Sequence, residues 1–347
     1  MKQINASVIG ASGYGGAETV RLLATHPCVS LVHVTAETNK GEAMSSLYPN
    51  LRGFVDQTMI EADVTRIGRE SDVTFLSLPS GMAMHLVPDL LQQGCKVIDI
   101  AADFRLKDAD LYPVWYKVTH TATHYLPEAV YGLPELHRSA ISKARLVANP
   151  GCYPAPSLLA LIPLLRAGKV RTQGIVIDAK SGISGAGRGG GGGYAFSETN
   201  ENVRAYSVVG HNHTAEIEQE LSAIAGAPVR VVFTPHLIPM TRGILVTAYA
   251  PLTSELAPSE ATDLYHEAYA PEPFVRVLEG SLPETKATMG SNFCDVAVRV
   301  DQRSGVAIAI AAIDNLGRGA AGQAVQNMNL MCGLPEETGL KFPGLYP

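Results

Sequence analysis

The stretch NASVIGASGYGGAETVRLLATHP, residues 5–27, decides the fold. It opens on a short apolar run suited to a buried strand and closes on apolar residues at helical spacing. Between them Gly10, Gly13 and Gly16 form a G-x-x-G-x-x-G array. A tight turn and a close approach of backbone N–H groups to a pyrophosphate both require residues without a Cβ. The helix start that follows adds partial positive charge. The spacing departs from the more common G-x-G-x-x-G, so a glycine turn with packing duties alone is the competing reading. Its place between strand and helix favours a dinucleotide.

The same texture continues outward. LVHVTA (31–36), DVTFLSL (72–78), KVIDIAA (96–102) and ARLVANPG (144–151) read as strands, with GMAMHLVPDLLQQG (81–94) helical between two of them. Strand–helix–strand repetition implies an α/β domain, a Rossmann-type doubly wound parallel sheet. Beyond residue 151, GIVIDAKSG (174–182), VRVVFTPHLI (229–238), RGILVTAYAPL (242–252), CDVAVRVD (294–301) and GVAIAIAAID (305–314) read as strands with few helices between them. That pattern implies a second, α+β domain on a mixed sheet. The tail DNLGRGAAGQAVQNMNLMCG (314–333) reads as a helix returning to the first domain. The expected division is 1–150 with 315–347 for the dinucleotide, and 151–314 for catalysis and oligomerisation. SGAGRGGGGG (184–193) is expected to be a mobile loop.

A length of 347 residues accommodates two domains. With 46% hydrophobic and 17% charged residues the composition is that of a soluble globular protein. The net charge of −6 argues against nucleic-acid binding, and no apolar run reaches the roughly 18 residues of a membrane span. The start MKQINASVIG runs directly into a strand, so no signal peptide is expected. Cys28, Cys95, Cys152, Cys294 and Cys332 are scattered, with no Cys-x-x-Cys pair. Neither a disulfide framework nor a zinc site is implied. A cytoplasmic, metal-free enzyme is expected. GAGRGGGGG lacks the following Lys-Ser or Lys-Thr of a P-loop, which argues against phosphoryl transfer from ATP.

NPGCYPAPSLLALIPLLRAG (149–168) places Cys152 where a loop becomes an apolar helix. A thiol at a helix start is more ionised than the reference near pKa 8.5; an inert buried cysteine is the competing reading. VVGHNHTAEIEQEL (208–221) supplies His211 and His213 ahead of an acidic helix expected to be capped by Thr214. A histidine at a helix N-terminus is held neutral and can accept a proton. In an extended segment the two would face opposite sides, so His213 is favoured as the base, with Glu216 as an orienting carboxylate. Arg105 and Arg242 stand at strand edges, where a guanidinium can hold phosphate or carboxylate; solvated surface arginines are the alternative. At the end of the second strand, TAETNKG (35–41) contains both Glu37 and Lys40, so residue chemistry does not choose between NAD and NADP.

Taken together, GASGYGG (10–16), ADFRL (102–106), NPGCYP (149–154), SGISGAGR (181–188), GHNHTAEI (210–217), FTPHLIPMTRGIL (233–245) and DNLGRGAAGQA (314–324) resemble the N-acetyl-gamma-glutamyl-phosphate reductases of arginine biosynthesis. These are cousins of the aspartate-semialdehyde dehydrogenases. The resemblance implies that Cys152 is the nucleophile and that the His-x-His segment gives acid–base help. It implies NADP(H) held by Gly10, Ser12, Gly13, Tyr14, Gly15, Gly16, Ser80, Ser181, Gly182 and Asn315, with Lys40 beside them. It implies an acyl-phosphate substrate held by Arg105, Arg188 and Arg242, and a homotetramer or homodimer built through the second domain's sheet. Ala155, where the family usually has Thr, and the five-glycine run after Arg188 depart from the pattern. The rival readings are the same chemistry on aspartyl phosphate or carrier-linked aminoadipyl phosphate, and a redox-sensing dinucleotide-binding protein. The last would need a resolving cysteine near Cys152.

Overall fold

The computed structural model describes residues 3–189 and 191–346, which cluster into two compact units. The first comprises 3–150, 187–189 and 320–341. Its strands are β1 (Ile4–Ile9), β2 (Val29–Thr35), β3 (Val73–Leu76), β4 (Lys96–Asp99), β5 (Val130–Tyr131) and β6 (Leu146–Ala148). They lie in the order β2-β1-β3-β4-β6-β5, all neighbours parallel. β3 and β6 are buried at every position, which is why these strands read as continuous apolar runs rather than alternating ones. The main connecting helices are α1 (Tyr14–Ala24), α2 (Val64–Glu70), α3 (Ala83–Gln92) and α4 (Pro134–Ile141). The chain leaves β1 for β2 on one side and returns to β3 on the other. The strand order therefore reverses beside β1, where open α/β sheets bind ligands.

The second unit comprises 151–186, 191–319 and 342–346. Residues 315–319 and 342–346 thus cluster here, and not with the dinucleotide half to which the tail was assigned. Its strands are β7 (Ile175–Ser181), β8 (Arg204–Ala205), β9 (Val231–Leu237), β10 (Ile244–Pro251), β11 (Val275–Val277), β12 (Cys294–Asp301) and β13 (Val306–Ile313). The order is β11-β12-β13-β10-β7-β9-β8, parallel at β7–β9 and β11–β12 and antiparallel elsewhere. α5 (Pro154–Arg166) is buried from Pro154 through Leu165, as an all-round apolar helix must be. α6 (His213–Ala225) packs beside it, as does α7 (Pro258–Tyr269), which the sequence reading did not anticipate. α7 buries only the stripe Ala261, Tyr265 and Tyr269 in an otherwise polar sequence, and both tyrosine hydroxyls donate to α5 carbonyls, at Ala160 and Leu159. The opposite sheet face carries Val176, Leu245, Tyr249, Ile308 and Ile310, all partly exposed.

The tail helix α8 (Gly322–Met331) belongs to the first unit, where Asn329 bonds His26 at 3.0 Å. Of the glycine-rich tract, Gly190 lies outside the described residues. The described remainder is not wholly irregular, since Gly192–Tyr194 form a 3-10 turn followed by a helical turn at Phe196–Thr199.

Candidate active site

In the first unit the glycine turn has the shape its sequence demands. Gly10 adopts φ +87°, and a Cβ there would lie 2.2 Å from the Ser77 carbonyl oxygen. A Cβ on Gly16 would lie 2.2 Å from the Gly10 oxygen, whereas one on Gly13 would meet only that oxygen, at 3.7 Å. No side chain caps the N-terminus of α1 and no acidic residue occupies its first turn. Its leading N–H groups and positive dipole end suit a pyrophosphate. Ser12 lends its carbonyl to the Tyr48 hydroxyl at 2.8 Å, a contact with no signal in the sequence. Ser80 is exposed just before Gly81. Lys40, five residues past the end of β2, pairs with Glu61 at 3.1 Å.

Arg105 is buried. Its Nε donates to the Asn149 carbonyl at 2.7 Å and its Nη2 to the Ile100 carbonyl at 2.9 Å, which fixes the plane of the guanidinium. Asp103 accepts the N–H groups of Gly81 and Met84 at 2.7 and 3.0 Å, anchoring the start of α3. Burial, reinforced by Asp103, pushes the Asp99 carboxyl well above the usual carboxylate range.

In the second unit Cys152, His211, His213 and Ser181 share one cavity of about 240 Å³, walled also by Tyr153, Tyr194 and Tyr206. Cys152 is half-buried, immediately ahead of α5. Two glycines make room around it. A Cβ on Gly319 would lie 3.0 Å from that of Cys152, and one on Gly151 would lie 2.5 Å from His213 Nε2. The His213 imidazole therefore rests on the peptide that carries the thiol. Glu216, fully buried one turn along α6, accepts the Gly151 N–H at 2.8 Å. This carboxylate thus holds the nucleophile's backbone.

The two histidines do not diverge as an extended segment would require. Asn212 is helical (φ −59°, ψ −29°), and the imidazole centroids stand 4.7 Å apart on the same cavity wall. Nor does Thr214 cap the helix; α6 begins at His213, whose N–H is accepted by His211 Nδ1 at 3.1 Å. That acceptor role puts the proton of neutral His211 on Nε2. Burial among Tyr153, Tyr206 and Phe233 lowers its pKa to about 4, so it is uncharged at neutral pH. Tyr206 donates to the Tyr153 hydroxyl at 3.1 Å, and Tyr153 in turn to the His236 carbonyl at 3.3 Å. Backbone N–H groups within the first turn of α5 are largely unavailable to a ligand. Pro154 and Pro156 have no N–H, while those of Ala155 and Ser157 are taken by the Gly151 and Tyr153 carbonyls.

The remaining assigned residues serve the surrounding loops. Gly182 lies where a Cβ would come within 2.8 Å of the Thr241 backbone. Asn315 accepts the Gly243 N–H at 2.7 Å and donates to the Ser184 hydroxyl at 3.0 Å. Arg242 grips buried Asp314 in a bidentate pair at 2.9 and 3.0 Å. Arg188 belongs to the first unit, beside Asn39 and Tyr48. Arg318 is fully buried, and nothing in its sequence context signals that. Among the described residues no group of three or more His, Cys, Asp and Glu is placed to hold a metal, the cysteines form no disulfide, and no helix is long and apolar enough to cross a membrane.

A parallel dinucleotide-type sheet followed in the chain by a mixed-sheet unit is the domain pair of the semialdehyde dehydrogenases. Residues 5–144 match the family model described as the semialdehyde dehydrogenase NAD binding domain, and 152–315 the one described as its dimerisation domain. Aspartate semialdehyde dehydrogenase II from Vibrio cholerae, complexed with ASA, shares the fold at a TM-score of 0.74 and 18% identity, over 96% of this chain and 99% of that one. The NADP-bound aspartate semialdehyde dehydrogenase from Candida albicans does so at 0.69 and 15%, over 95% and 99%. Sequence similarity is far higher to the N-acetyl-gamma-glutamyl-phosphate reductases of Pelotomaculum thermopropionicum, 52% identical over 345 residues, and Symbiobacterium thermophilum, 53% over 347, each covering 99% of both chains. The chain belongs to the N-acetyl-gamma-glutamyl-phosphate reductase family of oxidoreductases.

Proposed function

We propose that this chain reduces N-acetyl-gamma-glutamyl phosphate to N-acetylglutamate 5-semialdehyde with NADPH, through a thioester on Cys152. The observation that carries the reading is the seating of His213 on Gly151, which brings an imidazole to the peptide of a half-buried thiol at a helix start. The Cys152 thiolate attacks the acyl carbon; the C–S bond forms, the C–O bond to phosphate breaks, and inorganic phosphate leaves with the electron pair. The chemistry that bound NADPH supplies is a hydride for the thioester carbonyl carbon. Collapse of the resulting adduct returns the C–S electron pair to sulfur, and His213 is the group to exchange the proton there. Neutral His211, with its hydrogen on Nε2, serves as a donor to the developing oxyanion, a role that the prolines of α5 leave open. Arg105, held in a fixed plane, is the candidate grip for the substrate phosphate.

Self-association is proposed through the outward face of the second sheet, where Tyr249 is 40% exposed and Ile308 and Ile310 stand beside it. A second copy is the partner in question, since the matching family model is that of a dimerisation domain. Reliance on a free thiol suits a reducing, cytoplasmic compartment.

The test is the reverse reaction, phosphate-dependent reduction of NADP+ by N-acetylglutamate 5-semialdehyde, run beside aspartate semialdehyde. Turnover of the first substrate well above the second supports the reading. Preference for aspartate semialdehyde, or near-normal turnover by Cys152→Ser, overturns it.

A further inference from the structure

We infer that Arg188 reads the 2′-phosphate of NADP(H) and thereby sets the dinucleotide preference, instead of holding the acyl phosphate. Residues 187–189 cluster with the dinucleotide unit, although the chain on either side clusters with the other. The Arg188 Nη1 lies 3.4 Å from Asn39 Oδ1, and its guanidinium sits 5.9 Å from the centroid of the Tyr48 ring. Tyr48 is tied in turn to the glycine turn through the Ser12 carbonyl. Asn39 lies four residues past the end of β2, the place where this type of fold meets the adenosine ribose.

The charges around that position explain why an arginine is needed. Glu37 and Glu42 bring negative charge, and Asn39 donates to Glu42 at 3.0 Å. Lys40, the basic residue that the sequence offers for a 2′-phosphate, is engaged by Glu61 at 3.1 Å, with Glu37 adding to the field upon it. Without Arg188 the patch is acidic and suits unphosphorylated ribose. With it, an exposed fork is presented whose contact to a neutral amide oxygen is long, and a phosphate dianion is the stronger acceptor for such a group.

The inference rests on the proposed use of NADP(H), and the experiment separates the two. Dissociation constants for NADP+, NAD+ and 2′,5′-ADP are measured by calorimetry on the full chain without acyl phosphate, for wild type and for Arg188→Gln and Arg188→Lys. Expected for Arg188→Gln is a loss of about 10- to 100-fold toward NADP+ and 2′,5′-ADP, the range for a lost charge-assisted contact, with NAD+ changed less than about twofold. Arg188→Lys retains part of the affinity. An equal change toward NADP+ and NAD+, or none, overturns the inference, as does a raised KM for the acyl phosphate with NADP+ affinity intact. A wild type that binds NAD+ as tightly as NADP+ overturns the cofactor reading itself.

Discussion

Gly151→Ala tests the site most directly, because it adds one methyl group between the proposed base and the proposed nucleophile. Gly151 is absent from the positive-φ residues, so alanine meets no backbone objection. The obstacle is the imidazole. The new Cβ would stand 2.5, 2.8 and 2.9 Å from Nε2, Cε1 and Cδ2 of His213, against 3.4–4 Å for ordinary contact. All three atoms lie on one ring, so His213 must retreat as a body by about 1 Å. Retreat is resisted by Tyr153 and His211, whose ring centroids are 5.9 and 4.7 Å away. Overpacking of this kind destabilises by about 1–3 kcal/mol, and a displacement of about 1 Å in a reacting pair lowers turnover by roughly 100-fold. The expected result is a folded protein with kcat down about two decades, a KM changed little, and slower alkylation of Cys152 by iodoacetamide. A variant that folds and turns over within threefold of wild type would remove His213 from the reaction.

Replacing Glu216 separates its hydrogen bond from its charge. Glu216→Gln keeps an oxygen for the Gly151 N–H and is expected to hold kcat within about fivefold, whereas Glu216→Ala orphans a buried donor, destabilises by about 1–3 kcal/mol and lowers kcat further; equal damage from both would assign the role to charge. For His211 the folded pKa of about 4 lies below the reference 6.5. Between those values the unfolded chain takes up a proton that the folded site refuses, so stability falls as pH drops from about 6.5 to 4 and levels off below. The whole window amounts to roughly 3 kcal/mol: in urea unfolding at pH 7.5 and 4.5, wild type should lose more stability on acidification than His211→Gln, and parallel losses would refute the assignment. Ile310→Glu, on the outward sheet face, is expected to shift sedimentation toward monomer at unchanged thermal stability; an unaltered assembly would place the interface elsewhere.

The sequence made the parallel sheet legible because β1, β3, β4 and β6 are almost wholly buried and leave short, mainly apolar runs, and because Gly10 and Gly16 have no tolerable substitute at their contacts. The same logic marked Cys152, since a lone thiol between a glycine and a proline-started helix is an uncommon arrangement. What stayed illegible was whatever depends on a partner distant in sequence. Glu216 faces Gly151 from 65 residues away, and Arg188 meets Asn39 from 149. No local periodicity encodes either contact. His211 shows the intermediate case: the His-x-His pattern announced two imidazoles, but alternation was the wrong geometry, because Asn212 already has helical torsions and turns both rings to one wall. The helix start thus does two things at once. It gathers the imidazoles on the side of the thiol, and it hands the Gly151 peptide a carboxylate, so the placement of the nucleophile depends on α6 as much as on α5.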